Sequence, residues 1–458
     1  MFMPARLIES LATTEPLAEL FSDRSVLQAL LDFEAGLARV QARLGIIPAK
    51  AAKAIIAAAK PEGFDIGELS HGMLRGGTAG IPLSKALTEK VARVDKQAAA
   101  FVHWGATSQD VADTALILLL KRAKPILIKD VLEIEAALLK LSEKHKGTVM
   151  LGRTLMQAAT PITFGLKAAG WLGAIRRNRE HLEAAFEQAL VVQFGGATGT
   201  CAALGHKGAQ VMRALAKELG LGSPDAPWHT HRDRLAALVC ACGILTGSLG
   251  KMARDISLLM QNEVAEAAEP GGDGRGGSST MPHKRNPIGC AVTLAAAHRV
   301  PGEVASFLSA MVQEHERGVG GWQMEWPVVA TVIQSTGLAA ASMSEVARGL
   351  TVDKKRMSAN IENTRGMIFA ERASMLLKER LGRQEAHALM EEASKKSAAE
   401  KKTLSEVLAE IPEVTSAIER SIVRKIDVPK EYLGSAEEFR KALTAGNKAR
   451  TKRKKFSR

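Results

Sequence analysis

Apolar positions recur at steps of three and four residues through the middle of the chain. Within residues 232–266 this stripe consists of Leu235, Leu238, Cys242, Leu245, Leu249, Met252, Ile256 and Leu259. The spacing predicts one face of a single helix, about 50 Å long at roughly 1.5 Å per residue. Gly243, Gly247 and Gly250 lie in or beside the stripe. Because glycine is costly inside a helix, we expect them to mark the close approach of a neighbouring helix.

Similar periodicity predicts further long helices on both sides of this one. Thr160 is the expected N-cap of one of them, with Pro161 at its first position. Pro301 interrupts another. Long helices joined by short Gly- and Pro-bearing loops are typical of an up-down bundle, and no strand-period run of useful length accompanies them. We therefore predict an all-α fold. The further helices cover residues 111–144, 161–190, 288–316 and 327–350.

The pattern divides the chain into three predicted domains. Residues 1–110 contain shorter helices, and residues 111–352 form the central bundle with a polar loop at 271–287. A third helical domain, 353–458, begins at Asp353, which is a suitable N-cap. Several bundle helices, such as "FGLKAAGWLGAI", are apolar over more than one face. A helix of that kind must be covered on most sides, so we expect an oligomer of identical subunits.

Composition and charge agree with a helical protein that binds an anion. The chain has 458 residues, of which 4% are aromatic, and a net charge of +13. Its last eleven residues, 448–458, contain seven Lys or Arg and no acid. We predict a disordered basic tail there and no nucleic-acid binding, because no aromatic-interleaved groove accompanies the tail. The remaining positive excess suits an anionic substrate.

Cysteine usage and the apolar runs indicate a cytoplasmic protein. The four cysteines form no CxxC pair and have small apolar neighbours, so we expect buried free thiols in a reducing compartment. The N-terminal residues do not follow a signal-peptide pattern. The longest aliphatic run, 115–120, has six residues and is too short to cross a bilayer. We therefore predict no membrane association.

Three polar clusters interrupt the helical pattern. The first, "HWGATSQDVADT" at 103–114, places Thr107 and Ser108 before a helix that begins near Asp110. Hydroxyls and free backbone N–H groups at a helix N-terminus can hold an anion. Simple N-capping by Ser108 or Asp110 explains the same residues equally well.

The second cluster, "GRTLMQAATP" at 152–161, places Arg153, Thr154 and Gln157 just before a predicted helix. Arginine offers a planar fork that suits a carboxylate. Taken alone, the segment is better explained as a surface turn with a capping threonine.

The third cluster is "GGSSTMPHKRNP" at 276–287, which further glycines precede. A mobile loop with these side chains could act as a lid over a substrate. A phosphate-cradling loop is excluded, because the GxxxxGK[ST] order and a preceding strand are both missing.

The segment "GSSTMPHKRNP" closely resembles the signature loop of the fumarase/aspartase superfamily, which includes adenylosuccinate and argininosuccinate lyases. The other two clusters resemble the remaining active-site segments of that superfamily, in the same chain order. The resemblance covers essentially the whole chain. It implies a three-domain helical subunit and a homotetramer with a shared helix core, whose active sites combine segments of three subunits.

The resemblance also implies roles for individual residues. Ser278 would transfer the proton, while Lys284 and Asn286 would hold one carboxylate of a small polycarboxylate substrate, and Thr107 and Ser108 another. His103 is a candidate acid or base, a carboxylate donor or a structural residue. His229, Arg232 and Arg317 are further candidates for contact with the substrate. His229 and His231 form an H-x-H pair without a third ligand at suitable spacing, so we predict no metal and no cofactor.

Within the superfamily, four segments resemble those of bacterial 3-carboxymuconate cycloisomerases: "HWGATSQDVADT", "GRTLMQAATPITFGLKAAGWL", "PWHTHRDR" and "QEHERGVGGWQMEWP". Many lyases of the superfamily carry a histidine where this chain has Leu155. An amine leaves poorly without a proton, whereas a carboxylate, with an acid pKa of roughly 4, does not need one. Leu155 therefore favours lactonisation of 3-carboxymuconate. A lyase that releases fumarate and a catalytically silent relative remain alternatives, and Ala158, where cycloisomerases carry a histidine, leaves the exact substrate open.

Overall fold

The computed structural model describes residues 7–272, 276–277, 280–281 and 284–445. Most of these residues are helical, which confirms the all-α prediction at that level. The predicted basic tail 448–458 lies outside the described residues. The α-helices are α1 (Glu15–Leu20), α2 (Asp23–Arg43), α3 (Ala49–Ala58), α4 (Ile66–Gly76), α5 (Gly80–Ala92), α6 (Lys96–Ala99), α7 (Ser108–Lys144), α8 (Phe164–Ala189), α9 (Gly208–Leu219), α10 (Asp233–Leu259), α11 (Ile288–Ala310), α12 (Gly321–Gly349), α13 (Lys354–Glu362), α14 (Ala370–Leu381), α15 (Arg383–Glu400), α16 (Leu404–Glu410), α17 (Pro412–Ala417), α18 (Arg420–Val423) and α19 (Ala436–Thr444).

Short strands and 3₁₀ turns complete the described secondary structure. Strands β1 (Val149–Thr154) and β2 (Gln157–Thr163) form an antiparallel hairpin, and β3 (Ala267–Ala268) pairs with β4 (Thr351–Val352). The 3₁₀ helices are Glu9–Leu11, Ala202–Lys207, Met367–Phe369 and Pro429–Tyr432.

The chain divides into two compact units, and each is built from several stretches of sequence. Unit 1 comprises Met1–Leu132, Arg177–Lys251 and Ala291–Ser344, and unit 2 comprises Glu133–Arg176, Met252–Cys290 and Glu345–Arg458. The long helices α7, α8, α10, α11 and α12 contribute residues to both units.

The core of unit 1 is organised around α2. Ser22 accepts a hydrogen bond from the backbone of Ser25 and so caps this helix. The buried face of α2 includes Phe33, Leu37 and Val40, and the helix packs against α3 and α9. Phe33 and Val40 are entirely shielded from solvent. This packing fixes the position of α2 and therefore of its buried polar residues, Glu34 and Gln41.

Two of the three glycines of the α10 stripe lie where a neighbouring helix comes close, as predicted. A Cβ added to Gly243 would lie 2.9 Å from Val304 Cγ2, and one added to Gly250 would lie 2.6 Å from the Cβ of Ala297. Val304 and Ala297 belong to α11, so any larger residue would separate the two helices. Gly247 has no neighbour of this kind within 4 Å.

Several helix ends differ from the predicted ones. Helix α10 is shorter than the helix predicted over residues 232–266, because it ends at Leu259. Its 27 residues give a length of about 40 Å. Helix α11 continues through Pro301 and ends at Ala310, and α12 begins before Pro327. A proline inside a helix removes one backbone hydrogen bond, which packing of a long helix can offset.

The hairpin β1–β2 is the main departure from the sequence prediction. Pro161 lies in β2 and does not begin a helix; α8 begins at Phe164, where Thr163 Oγ1 accepts a hydrogen bond from Leu166 N. Pairing shifts register between Leu151 and Gly152. This irregularity breaks the period-2 alternation by which a strand is recognised in a sequence.

Unit 2 packs this hairpin against the C-terminal helices. Leu151 of β1 belongs to a buried cluster with Ile361, Phe369 and Leu404. Asp353 accepts from Arg356 N and caps α13, which confirms that N-cap prediction.

By length and composition, α10 could cross a membrane, but 61% of its most apolar window is buried inside the protein. The core helices of helix bundles have the same property, so this is weak evidence for a membrane span.

Candidate active site

The carboxylate of Asp110, in the first turn of α7, connects three segments of unit 1. Its Oδ2 accepts from Thr107 N at 3.0 Å and from Gly196 N at 2.9 Å. Its Oδ1 accepts from Gly195 N at 2.9 Å and lies 2.8 Å from His229 Nε2. The side chain therefore fixes the start of α7 against Gly195 and Gly196. Because α7 begins at Ser108, Asp110 is not the N-cap that was predicted; it lies in the first turn and accepts from the residue that precedes the helix, Thr107.

Arg317 reaches the same helix start from a distant part of the chain. Its Nη1 donates to Thr107 Oγ1 at 2.9 Å, and its Nη2 donates to Ala197 O at 2.9 Å. Thr107 and Arg317, both predicted to contact substrate, are thus in direct contact. Together with the N-terminal N–H groups of α7, which begins at Ser108, they provide a cation and hydrogen-bond donors of the kind that can hold a carboxylate.

His103 lies beside this helix start and is held by a residue that the sequence analysis missed. Its Nδ1 is 2.7 Å from Oε1 of Glu34, a buried residue of α2. Burial lowers the pKa of His103, but the carboxylates of Glu34 and Asp110 outweigh it, so the pKa is raised above its ordinary value. The imidazole can therefore act as a cation or a proton donor.

Arg232 and His229 are buried in unit 1. The Arg232 guanidinium makes paired hydrogen bonds with Asp113, at 2.8 and 3.0 Å, and with Glu325. Its remaining N–H group donates to His229 O. Because these bonds use all of its donors, Arg232 holds parts of unit 1 together. Its contact with substrate stays a prediction.

Unit 2 carries the second cluster on the hairpin. The guanidinium of Arg153 makes a two-point contact with the buried carboxylate of Glu266, at 2.7 and 2.9 Å. Asn360 also donates to that carboxylate. The guanidinium of Arg153 is therefore already paired with a carboxylate of its own unit. The sequence had suggested a guanidinium that is free to bind a substrate carboxylate.

The tip of the hairpin is exposed and apolar. Thr154 pairs with Gln157, and both side chains are exposed. Between them, Leu155 and Met156 have positive φ angles of 49° and 67° and are 96% and 67% exposed. Two consecutive residues with positive φ are typical of the two-residue type I′ turn, whose twist matches that of the strands it joins. The residues favoured at these two positions are Asn and Gly, not Leu and Met. The sequence therefore gave little indication of this turn.

The third cluster is described only in part. Ser278 lies outside the described residues. Asn286 N donates to Gly276 O at 2.8 Å, and Lys284 N donates to Met281 O at 3.0 Å. The side chain of Lys284 is exposed. Glu269, which precedes the loop, accepts through its carboxylate from the backbone N–H groups of Gly289 and Cys290 at the start of α11, where an acid is favourable.

Among the described residues, no group of three or more His, Cys, Asp or Glu side chains is placed to hold a metal ion. None of the four cysteines forms a disulfide, and Cys201, Cys242 and Cys290 are buried as predicted, whereas Cys240 is only half-buried. Burial raises the pKa of Cys201 to about 11 and that of Cys242 to about 12, so neither thiol is suited to act as a nucleophile.

Glu34, Asp113 and Glu325 were all missed in the sequence. The signal that could have identified them is a charged residue within an apolar helix stripe, because a buried charge requires a partner. The structure brings His103, Thr107, Ser108, His229, Arg232 and Arg317 together in unit 1, whereas Arg153, Thr154, Gln157, Lys284 and Asn286 belong to unit 2.

Known proteins resemble the chain over nearly its whole length. A family described as "Lyase" matches residues 9–302, and one described as "Adenylosuccinate lyase C-terminus" matches residues 366–443. A 3-carboxy-cis,cis-muconate cycloisomerase of Bradyrhizobium diazoefficiens is 48% identical, over 91% of this chain and 92% of that protein. The enzyme of the same name from Pseudomonas aeruginosa is 44% identical, over 95% of each chain.

A solved structure has the same fold. The 3-carboxy-cis,cis-muconate lactonizing enzyme of Pseudomonas putida aligns with a TM-score of 0.91 and 41% identity, over 98% of this chain and all of that one. The chain therefore belongs to the fumarase/aspartase superfamily of lyases, in the family of the 3-carboxy-cis,cis-muconate cycloisomerases.

Proposed function

We propose that the chain converts 3-carboxy-cis,cis-muconate to 4-carboxymuconolactone. In this reaction a carboxylate oxygen of the substrate adds to its own double bond, and the adjacent alpha carbon then takes a proton. The observation that carries the proposal is that two cycloisomerases are 44% and 48% identical to this chain, over 95% and 91% of its length. The chemistry of the hairpin tip and of the α7 terminus supports it.

The apolar tip suits a reaction in which a carboxylate is the nucleophile or leaving group. Neither Leu155 nor Met156 can give a proton, and a carboxylate with an acid pKa of roughly 4 requires none at neutral pH. Loss of an amine, as in adenylosuccinate cleavage, would need a donor there. The tip therefore favours lactone formation over amine release.

The start of α7 is the proposed binding site for one substrate carboxylate. Thr107, Ser108 and Arg317 would hold this group, with the imidazolium of His103 as a second cation. Addition to the double bond moves negative charge into an aci-carboxylate, which fixed donors and cations stabilise. Thr154 and Gln157 on the hairpin are proposed to contact substrate. For His229, which was predicted to contact substrate, we propose instead that it positions Asp110, because its Nε2 lies 2.8 Å from Asp110 Oδ1.

The glycine-rich loop is the proposed source of the proton. Neutral Ser278 would protonate the alpha carbon and regain a proton from solvent. The resulting alkoxide is a strong base that needs stabilisation, which the ammonium of Lys284 would provide. Lys284 and Asn286 would also hold a second substrate carboxylate.

We further propose the finer organisation that the superfamily resemblance implies. It comprises domains 1–110, 111–352 and 353–458, a cytoplasmic homotetramer, and active sites shared between subunits. Exposed apolar side chains support the tetramer, because an isolated subunit gains nothing from exposing them. They include Leu155 on the hairpin, Ile244 on α10 and Leu308 on α11.

A spectrophotometric assay tests the reaction. Purified protein should remove the ultraviolet absorbance of 3-carboxy-cis,cis-muconate, with the lactone identified by NMR, and Ser278→Ala should abolish most of this turnover. Release of fumarate from adenylosuccinate or argininosuccinate would support the alternative lyase. Inactivity towards all three compounds would support a silent relative. Light scattering separately tests the tetramer.

A further inference from the structure

Helix α2 presents two buried polar side chains in the middle of its apolar face. Glu34 and Gln41 are each only 1% exposed. They are seven residues apart and so lie on the same side of the helix. A buried carboxylate and a buried amide both cost free energy unless each has a partner, so their positions require an explanation.

Both side chains hold the same short segment. Glu34 Oε1 lies 2.7 Å from Nδ1 of His103, and Gln41 Nε2 donates to the carbonyl of Trp104 at 2.7 Å. His103 has a φ of 58°, which is uncommon for a residue other than glycine. Gly105 follows with a φ of 71°, and a Cβ there would lie 2.8 Å from Leu204 Cγ. The segment is therefore held in an unusual conformation by α2.

The charges around His103 favour its protonated form. Glu34 on α2 and Asp110 on α7 are the carboxylates that act on the imidazole, and they raise its pKa although burial lowers it. Arg317, which donates to Thr107, and His229, which is bonded to Asp110, are further charged or titratable groups at the start of α7. One turn further along the helix, Asp113 pairs with Arg232. Nε2 of His103 has no hydrogen-bond partner among the described residues.

We propose that Glu34 and Gln41 are positioning residues for this site: Gln41 fixes the backbone, and Glu34 holds the ring through its Nδ1–H. Nε2–H of the imidazolium then donates to a substrate carboxylate beside Thr107 and Ser108. The assignment deepens the proposed lactonisation and rests on it. Neither residue touches substrate, because both are shielded behind the 103–105 segment.

The pH dependence of kcat/KM tests the assignment. Glu34→Gln keeps the size of the side chain but removes the charge, so it should lower kcat/KM by about tenfold. The loss should grow as pH rises, because the imidazole now loses its proton at a lower pH. Glu34→Asp keeps the charge, so it should retain more activity than Glu34→Gln. In Glu34→Asp, the fall of kcat/KM at high pH should occur at the same pH as in the parent protein. Gln41→Met should lower kcat/KM at every pH, without changing the pH at which kcat/KM falls on the alkaline side.

Three controls separate this role from a general effect on folding. Glu218→Gln removes a carboxylate that pairs with Arg39 and Arg43 of the same helix, and it should leave the pH profile unchanged. In the His103→Gln background, Glu34→Gln should have no further effect on kcat/KM. Thermal unfolding checks that each variant is folded.

Binding of propane-1,2,3-tricarboxylate, a saturated polycarboxylate, provides a readout that does not depend on turnover. Its affinity, measured by calorimetry, should weaken at high pH, and in Glu34→Gln this should begin at lower pH. An unchanged pH dependence in Glu34→Gln, or additive losses in the double variant, would overturn the assignment. Failure of the proposed reaction would appear separately, as tricarboxylate binding without lactone formation.

Discussion

Arg232 and Asp113 form a two-point ion pair in which both side chains are completely shielded from solvent. Nη1 and Nη2 of the guanidinium lie 2.8 and 3.0 Å from the two carboxylate oxygens. Trp322 Nε1 and Gln109 Nε2 also donate to this carboxylate. A buried ion pair offsets its desolvation cost only when its remaining hydrogen bonds are satisfied, and here they are.

Neutralising this carboxylate should destabilise the protein strongly. Asp113→Asn leaves the Arg232 charge with Glu325 as its remaining partner, and breaking a buried pair costs about 3–5 kcal/mol. Urea unfolding would measure the loss. Asp32→Asn is the matched control, because Asp32 pairs with Arg122 near the surface, where such pairs contribute about 0–1 kcal/mol. Equal losses in the two variants would contradict the assigned role of the buried pair.

The hairpin tip should show a conflict between stability and activity. Leu155 and Met156 occupy the left-handed region, which costs a residue other than glycine about 1–2 kcal/mol. The double variant Leu155→Asn/Met156→Gly provides the residues that this turn favours, so its melting temperature should rise. If the tip contacts substrate, kcat/KM should fall at the same time. A more stable variant with full activity would show that the tip has no part in the reaction.

Much of the helical architecture follows from periodicity, whereas the hairpin does not. The stripe that ends at Leu259 identified α10, and two of its three glycines, Gly243 and Gly250, correctly indicated a close neighbouring helix. Pro161 was misassigned because proline is accepted both at the first position of a helix and on an edge strand. Local sequence could not distinguish the two, since the pairing that decides between them is with residues 149–154.

The site was predictable where chemistry is local and unpredictable where it depends on packing. Motifs predicted that Thr107 and Arg317 act on the same substrate, and the two side chains are in contact although 210 positions separate them. Glu34 escaped notice because its partner, His103, is 69 positions away and no spacing rule connects them. The partners of Arg232, Asp113 and Glu325, escaped notice for the same reason, because they are 119 and 93 positions away from it.

Arg317 should contribute mainly to substrate affinity. Arg317→Gln removes the cation that donates to Thr107, and a hydrogen bond to a charged group contributes about 1.5–3 kcal/mol. We therefore expect KM to rise by at least about tenfold, with a smaller effect on kcat. Steady-state kinetics would measure both, with Arg424→Gln, at an exposed arginine of unit 2, as the control. A fall in kcat alone would indicate a role in the transition state.

His145 should make the protein less stable in acid. It is buried against Phe164, with a ring-centroid distance of 5.4 Å. Burial, reinforced by Lys354 and Lys144, lowers its pKa from 6.5 to about 4. Between these two values the unfolded chain binds a proton that the folded protein does not, so stability falls as pH falls, by at most about 1.4 kcal/mol per pH unit.

Replacing this histidine should therefore flatten the acid side of the stability curve. His145→Gln loses packing and is expected to be less stable than the parent at pH 7. Between pH 7 and pH 4.5, however, its free energy of unfolding should fall less than that of the parent protein. Urea unfolding at several pH values would measure the two slopes. His387→Gln, at an exposed histidine of α15, should retain the parental slope. Parallel slopes for His145→Gln and the parent would mean that another group governs acid stability, because a neutral glutamine cannot take up the proton that the unfolded histidine binds.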